Sequence, residues 1–412
     1  MKYFIFFYLW LLPASAFSQE ITPPAVSKQG YFNPDISVIV DTFYQRSNND
    51  ITETLSKVSG FANPLNSEYG PDEGINMNEL EIFMSANIDP YFKGWAIPVL
   101  EPDGAEMEEA VIQTTALPYG LQLKAGKFFS DFGRVNPQHL HFWDFSDLPL
   151  IYRLTLGVEA EGLNEPGVQV SWLVPTDFYL LTGLEVLQGT NELIFNYIGE
   201  EPPPKKSGPR VLVGWFKLAP EIQDVKQALQ FGSFFGRGVH QTILDNDNNG
   251  LDDQWLSGTN KFWGIDFVYK YDDTRAYREG DIIVQGEYLQ RRRILEVAAD
   301  NRSPLLVGQE QDNLQDGYYL QVIYGMLPRW RIGLRWDQVG LANRIELPDG
   351  SEESPDTSTR VTAMIDWSFS EYSRLRLQYA HGNYELAGPD EKISQVFLQF
   401  QVSLGAHGAH KF

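Results

Sequence analysis

The residues best suited to chemistry lie close together about one third of the way along the chain. His139 and His141 are followed by Asp144 and Asp147 in an H-x-H-x-x-D-x-x-D pattern. Imidazole nitrogens and carboxylate oxygens are ligands that suit zinc and similar divalent ions. The spacing is not that of a zinc motif, and no third histidine is near. A second interpretation is therefore that these side chains form hydrogen bonds that hold the segment against a neighbouring wall.

A second group of possible cation ligands is rich in aspartate and asparagine. Asp245, Asp247 and Asn249 supply oxygens at positions 1, 3 and 5 of a pattern with glycine at position 6. This matches the first half of an EF-hand calcium loop. The bidentate glutamate of position 12 is missing, although Asp252 could close the site. The hypothesis is a calcium ion in the predicted loop 239–259, and the alternative is an acidic surface turn.

Motifs of the common enzyme classes are missing. The sequence has no G-x-S-x-G, no H-E-x-x-H and no P-loop. It has no cysteine, which excludes disulfides, thiolate zinc sites and a cysteine nucleophile. With 55 acidic against 32 basic residues and a net charge of −23, it lacks the basic surface of a nucleic-acid binder. We expect neither an enzyme nor a required cofactor.

The elements that must position these residues are strands. Although 14% of the residues are aromatic, the mean hydropathy is −0.29. Apolar and polar residues alternate over about ten positions, the length that crosses a bilayer as a tilted strand. Sixteen strands are predicted, at 35–46, 77–91, 94–101, 104–117, 120–129, 167–174, 177–189, 209–219, 226–238, 260–272, 280–293, 314–327, 330–341, 358–370, 373–385 and 391–404.

The connections favour one architecture. Short turns containing proline, aspartate or serine mostly alternate with long loops, and the strand count is even. This is typical of an antiparallel outer-membrane β-barrel with short periplasmic turns and long extracellular loops. A soluble sandwich is the alternative. It is disfavoured because the apolar phase is rich in aromatics that would face water, such as Trp263, Phe267 and Trp367.

The polar phase of these strands would face the lumen and carries many charges. Ionised groups left unpaired in a dry interior cost several kcal/mol each, so the sequence predicts water inside. The arginines lie near the C-terminal end and several acids near the N-terminal end, which predicts either ion pairs or a field that selects solutes. The predicted pore-lining residues are Glu79, Glu81, Asp89, Lys124, Glu185, Asp266, Lys270, Glu287, Arg331, Arg335, Arg374 and Arg376.

The longest connection, 130–166, does not have the composition of a solvated loop. It contains many apolar residues, including Phe132, Leu150 and Ile151, that require cover from water. We therefore expect this loop to fold into the barrel, pack on the wall and constrict the channel. The charged residues predicted to face the lumen from this loop are Asp131, Arg134, Asp144 and Asp147.

The first residues are predicted to be removed on export. A lysine, an apolar run and an A-x-A site form the pattern of a signal peptide over 1–16, with cleavage after 18 as the alternative. We expect 17–34 to be a short periplasmic segment and 35–412 to be the barrel. The predicted location is the outer membrane of a Gram-negative bacterium.

Several stretches resemble one family of outer-membrane proteins. They are NELEIFMSANIDPYF at 78–92, EEAVIQTTALPYGLQLKAGKFF at 108–129, NPQHLHFWDFSDLPL at 136–150 and LGAHGAHKF at 404–412. The family is that labelled zinc-regulated TonB-dependent outer-membrane receptors, some members of which are called porin-like. The resemblance implies a link to zinc, with His139, His141, His407 and His410 carrying the histidine motifs. We see no plug or TonB box, since segment 17–34 is too short for a plug.

Together these features predict a porin-like channel for passive diffusion of small hydrophilic solutes or ions. Two alternatives stay open. One is a zinc-linked receptor or transporter, and the other is a structural or adhesive barrel whose lumen is plugged by its loops. The expected partners are outer-membrane lipid, the solutes and further copies of the chain in a homo-trimer, with no nucleic acid.

Overall fold

The computed structural model describes residues 34–61, 73–101, 104–157, 162–191, 193–198, 206–244, 254–386 and 388–405. The predicted signal peptide and most of segment 17–34 lie outside these residues. Two helices of six residues each are present, α1 (Ile51–Ser56) and α2 (Leu150–Thr155). No helix in the described part is long and apolar enough to span a membrane.

The strands form one antiparallel sheet that closes on itself. Its first strand pairs with its second and also with its last. The strands are β1 (Asp35–Ser47), β2 (Gly74–Asn87), β3 (Phe92–Glu101), β4 (Gly104–Thr114), β5 (Leu121–Phe129), β6 (Asn164–Leu173), β7 (Tyr179–Leu187), β8 (Val211–Ala219), β9 (Gln227–Leu244), β10 (Gln254–Tyr271), β11 (Ile282–Asp300), β12 (Glu310–Leu327), β13 (Trp330–Val339), β14 (Arg344–Glu346), β15 (Glu352–Glu353), β16 (Ser358–Ser370), β17 (Ser373–Tyr384) and β18 (Glu391–Gly405).

Two of these strands are not part of the wall. β14 and β15 are short pieces of the loop after β13, and β13 pairs directly with β16. The remaining sixteen strands close the barrel, which confirms the predicted all-β fold and strand number. A closed antiparallel barrel of this size is the architecture of outer-membrane barrels, in agreement with the predicted location.

Four neighbouring strands are longer than predicted. β9 continues to Leu244, β10 begins at Gln254, and β11 continues to Asp300, so each extends six or seven residues beyond its predicted end. β12 begins at Glu310. The predicted loops 239–259 and 294–313 are therefore largely strand. The alternation is irregular there, and a small buried cluster of Leu256, Leu295 and Val297 packs between these strand ends.

The two faces of the wall differ as a membrane barrel requires. Outward positions are apolar and exposed; for example, Leu377 and Leu398 pair across β17 and β18. Near the turn ends of β13 and β16, the rings of Trp330 and Trp367 stack with centroids 5.4 Å apart. An apolar band bordered by aromatic side chains matches the hydrocarbon layer and its interfaces.

The inside of the barrel contains a packed core. Barrels of this strand number are wide enough to leave a lumen that wall side chains alone do not fill. Segments between strands occupy it here. Leu55 of α1, Ile151 of α2 and Phe195 are fully buried, and they belong to one apolar cluster with the wall residue Phe262. The core therefore forms between inserted segments and the inner wall.

Candidate functional site

The candidate site is built around the chain that leaves β5 and enters the barrel. We call residues 130–157 the inserted segment. Phe132, Leu150 and Ile151 are completely inaccessible to solvent, as their composition predicts. The segment lies inside the barrel, as its composition predicted. Three sets of polar contacts connect it to the barrel wall.

The first set joins the start of the inserted segment to β5, β7 and β11. The carboxylate of Asp131 accepts from Lys124 Nζ at 2.7 Å. The backbone N–H of Asp131 donates to Glu185, and that of Arg134 donates to Glu287 at 3.0 Å. Both glutamates are buried. They serve as acceptors for backbone N–H groups that would otherwise be left unpaired inside the barrel.

Gly133 lies between these contacts, at a position that leaves no room for a side chain. Its φ is +64°, which favours glycine. A Cβ built here would lie 2.5 Å from Glu287 Oε1 and 2.6 Å from the Tyr152 hydroxyl. Since Tyr152 also donates to Glu287, the glycine lets the segment turn against a hydrogen-bonded pair.

The second set involves the two histidines of the segment. His139 Nδ1 lies 2.9 Å from Glu108 Oε2, and His141 Nδ1 lies 2.9 Å from Glu81 Oε2. Glu81 is on β2 and Glu108 on β4. The histidines therefore contact wall carboxylates rather than Asp144 and Asp147. The four-residue cluster predicted from spacing is not formed, because the chain turns and directs the two aspartates towards other strands.

The third set joins Asp147 to a group of arginines. Asp147 accepts from Arg335 at 2.8 Å and from Arg360 at 2.7 Å, and Gln378 donates to it at 2.7 Å. Both arginines also bond Asp337, at 3.1 and 3.2 Å. We call Asp147, Asp337, Arg335 and Arg360 the latch. It is inaccessible to solvent apart from a small part of Asp147, so its charges interact strongly.

Closer to the turns, three further arginines hold the segment. Arg331 bonds Asp144 at 3.1 Å and Asp366 at 2.6 Å. Arg374 donates to the carbonyl of His141, and Arg376 donates to that of Trp143. The sequence left ion pairing and a solute-selecting field as alternatives for the arginines. The structure places several of them in ion pairs, mostly with the segment and with wall acids close to it.

On the turn side of the segment, a group of charged side chains in the interior stays partly accessible. It comprises four cations and two acids. Asp144 interacts electrostatically with Lys270, Arg331 and Arg374. We call this the turn-side chamber, and its charged members are Asp131, Asp144, Lys217, Lys270, Arg331 and Arg374.

The predicted pore-lining residues divide into three groups. Lys270, Arg331 and Arg374 face the turn-side chamber. A larger group points inward but is covered, which corrects its expected contact with water: Glu79, Glu81, Lys124, Glu185, Asp266, Glu287, Arg335 and Arg376. Asp89 does not line the interior. It lies exposed in the turn after β2, where it accepts from the backbone N–H of Tyr91 and Phe92.

Two functional residues were missed by the sequence interpretation. Arg360 lies on β16 at the same alternation phase as Asp366, so its inward orientation could have been predicted. Glu108 was obscured by a bulge. The register shifts at Pro98, so that Glu108 and Glu109 are both buried although they are adjacent. An extra residue on one strand breaks the simple alternation.

The remaining predicted cation ligands lie outside the described residues. These are His407 and His410 near the C-terminus and Asp245, Asp247, Asn249 and Asp252 in the connection between β9 and β10. Zinc and calcium binding at these positions stay predictions.

Comparison with known proteins places the chain in a family. No family model matches it. A protein of Aquifex aeolicus (strain VF5), described as uncharacterized, is 34% identical over 397 residues, covering 93% of this chain and 81% of the relative. The chain belongs to the same family as this Aquifex protein. The similarity extends over nearly the whole chain, but the description of the relative gives no activity.

Solved structures show the same fold at low identity. An anion-selective porin from Comamonas acidovorans has a TM-score of 0.55 at 12% identity, covering 90% of this chain and 99% of the porin. The outer-membrane channel DcaP of Acinetobacter baumannii has a TM-score of 0.52 at 12% identity, covering 90% and 96%. OmpT of Vibrio cholerae, in a trimer form, has a TM-score of 0.53 at 11% identity, covering 90% and 99%. The likeness is to a porin, a channel and an outer-membrane protein, and it shows the fold of the barrel. No TonB-dependent receptor family is shown.

Proposed function

We propose that the protein is a porin-type channel through which small hydrophilic solutes or ions diffuse passively across the outer membrane. The observation that carries this proposal is the turn-side chamber beneath a segment that crosses the lumen. Charged side chains there stay partly accessible, whereas comparable groups above them are covered. A constricting segment with a charged, hydrated approach is what a narrow diffusion channel needs.

The charges of the chamber favour anions. Lys217, Lys270, Arg331 and Arg374 outnumber Asp131 and Asp144 among its partly accessible groups. Rings of cationic side chains select anions by lowering the electrostatic barrier to their entry. The net charge of −23 does not contradict this, because permeation depends on the charges along the path and not on their sum over the chain.

The test is removal of the inserted segment's central part. Deleting 138–150 removes the contacts with the arginines and opens the lumen, so single-channel conductance in planar bilayers should rise. Deleting 245–253, in the connection between β9 and β10, is the matched control and should leave conductance near that of the wild type. Equal conductance of the wild type and the 138–150 deletion would overturn the proposal.

A structural barrel with a plugged lumen is the second candidate. It is favoured by the near-complete burial of inner-wall residues such as Gln378 and Asp41. The same recordings separate the two candidates. If the lumen is plugged, the wild-type protein gives no conductance steps. If the barrel is a narrow channel, the wild-type protein gives small, reproducible steps.

Two further features belong to the proposal. We propose a calcium ion in the loop containing Asp245 and Asp247. Calcium-dependent protease resistance that disappears in Asp245→Ala/Asp247→Ala would support it, and resistance independent of calcium would contradict it.

We also propose a homo-trimer, as in the trimer form of Vibrio OmpT. Mass measurement in detergent would test this assembly.

A further inference from the structure

One corner of the interior contains more buried acid than its neighbours neutralise. Glu79 and Glu81 lie two residues apart on β2 and therefore face the same side. Glu108 comes from β4, and Asp41 is paired with Glu79 across β1 and β2. All four are at least 94% inaccessible to solvent. Carboxylates buried in this way require protons, cations or dense hydrogen bonding.

The imidazoles of the inserted segment are the basic side chains in contact with these glutamates. His139 lies between Glu108 and Glu81, with Nδ1 at 2.9 and 3.7 Å from their oxygens. His141 Nδ1 lies 2.9 Å from Glu81. The nearest arginines are engaged elsewhere: Arg374 bonds Gln401 and a segment carbonyl, and Arg376 bonds Gln399 and a segment carbonyl.

Four buried atoms of this corner have no hydrogen-bond partner among the described residues. They are Asp41 Oδ1, Glu79 Oε1, Glu81 Oε2 and His141 Nδ1. Although Glu81 and His141 are in close contact, the direction of the imidazole does not suit a hydrogen bond. Of these four side chains, Glu79, Glu81 and His141 can place one ligand atom each within 4.8 Å of one another. Buried polar atoms without partners require an explanation, and a bound ion is one.

Glu109 shows the contrast. It lies beside His139, with 3.6 Å between its Oε2 and His139 Nε2. Its carboxylate is satisfied by the Trp95 indole N–H at 2.7 Å and the Phe129 backbone N–H at 3.1 Å. Beside the imidazoles, the carboxylates with an open valence are therefore Glu79 and Glu81, and not Glu109. His139 and Glu108 bond each other and lie next to Glu79, Glu81 and His141.

We propose that Glu79, Glu81 and His141 bind a divalent transition-metal ion of the zinc class, with the His139–Glu108 pair beside it. Two carboxylates and one imidazole match the donor set of zinc, whereas calcium and magnesium prefer oxygen ligands alone. Zinc ligands at 2.0–2.1 Å in a tetrahedron are roughly 3.3 Å apart. The contact between Glu81 and His141 needs only a few tenths of an ångström of adjustment to reach this value.

The ion would join the wall to the inserted segment. Glu79 and Glu81 belong to the rigid sheet, whereas His141 belongs to the segment. Binding there stabilises the inserted position and offsets the excess negative charge. The site does not depend on conduction, so it stands or fails separately from the proposed function.

The experiment is zinc binding by the purified, folded full-length barrel in detergent. Titration with ZnCl₂ by calorimetry should give one saturable site. Glu81→Gln and His141→Ala should weaken binding at least about tenfold, as loss of a ligand does. Glu106→Gln and His381→Asn are matched controls on exposed positions and should bind as the wild type does. Heat-modifiable migration on gels shows that each variant is folded.

X-ray absorption at the zinc edge gives an independent readout. The expected first shell has oxygen ligands and one imidazole nitrogen at about 2.0–2.1 Å. No saturable zinc binding would overturn the proposal. So would binding that is unchanged in the Glu81 and His141 variants but lost on truncation after residue 405, since the ligands would then be His407 and His410. Conductance of the same preparations in chelator reports separately on the channel.

Discussion

Mutation of Asp147 tests the proposed constriction directly. Its carboxylate accepts from Arg335, Arg360 and Gln378 at 2.7–2.8 Å, and it belongs to the inserted segment while its partners belong to β13, β16 and β17. Asp147→Asn keeps the shape of the side chain and removes its charge. The two arginines then share only Asp337.

The size of the effect follows from the burial of the latch. Breaking a buried ion pair by removing one partner costs about 3–5 kcal/mol. We take about 3 kcal/mol, since Asp337 remains and asparagine keeps one acceptor oxygen. At about 1.4 kcal/mol per factor of ten, the inserted position loses roughly 150-fold in population relative to displaced ones. The loss falls on the inserted segment and not on the barrel, whose strand pairing does not involve Asp147.

The assay is single-channel recording in planar bilayers. Asp147→Asn should show larger and more variable conductance steps than the wild type. Asp349→Asn, in the exposed loop after β14, is the matched control and should be unchanged. Heat-modifiable migration establishes that both variants are folded. Identical step size and variance in Asp147→Asn and the wild type would refute the role of the latch.

Three further outcomes are expected. Gly133→Ala should lower the midpoint of thermal unfolding more than Gly350→Ala; both residues have positive φ, but only at Gly133 is the added methyl obstructed, and equal shifts would contradict this. Lys270→Gln should lower the anion-to-cation permeability ratio in reversal-potential measurements, while Lys392→Gln should not, and an unchanged ratio would remove Lys270 from the path. Leu377→Arg should destabilise the barrel by about 2–4 kcal/mol in urea unfolding in lipid, because its side chain faces the hydrocarbon layer, whereas a value near zero would place it elsewhere.

The wall of the barrel was predictable because alternation is a local property. Leu377 and Leu398 alternate with polar neighbours, and this pattern alone assigns them to the lipid face. The ends of β9–β12 were not predictable in this way, since the alternation there is irregular and Leu256, Leu295 and Val297 form a small buried cluster. The bulge at Pro98 could not be predicted either, because the sequence of β4 alone does not determine its pairing register with β3.

The sequence predicted which segment forms the site, but it did not predict which side chains pair there. Composition indicated that the segment after β5 folds inward with Asp144 and Asp147 towards the lumen, and the structure pairs both with arginines. Their partners are more than 180 residues away along the chain, for example Arg335 and Asp147. Such contacts depend on where the segment crosses the lumen. Local spacing therefore grouped His139 and His141 with the aspartates, whereas the fold directs them to Glu108 and Glu81.

The central claim is that a charged, constricted path crosses this barrel, and the most direct measurement is the conductance and ion selectivity of the purified wild-type protein in planar bilayers. We expect small, uniform steps and, under a KCl gradient, a reversal potential of the sign that indicates preference for chloride. Bilayers that remain silent with correctly folded protein would contradict the claim of a channel. Clear preference for potassium would contradict the assignment of Lys217, Lys270, Arg331 and Arg374 to its path.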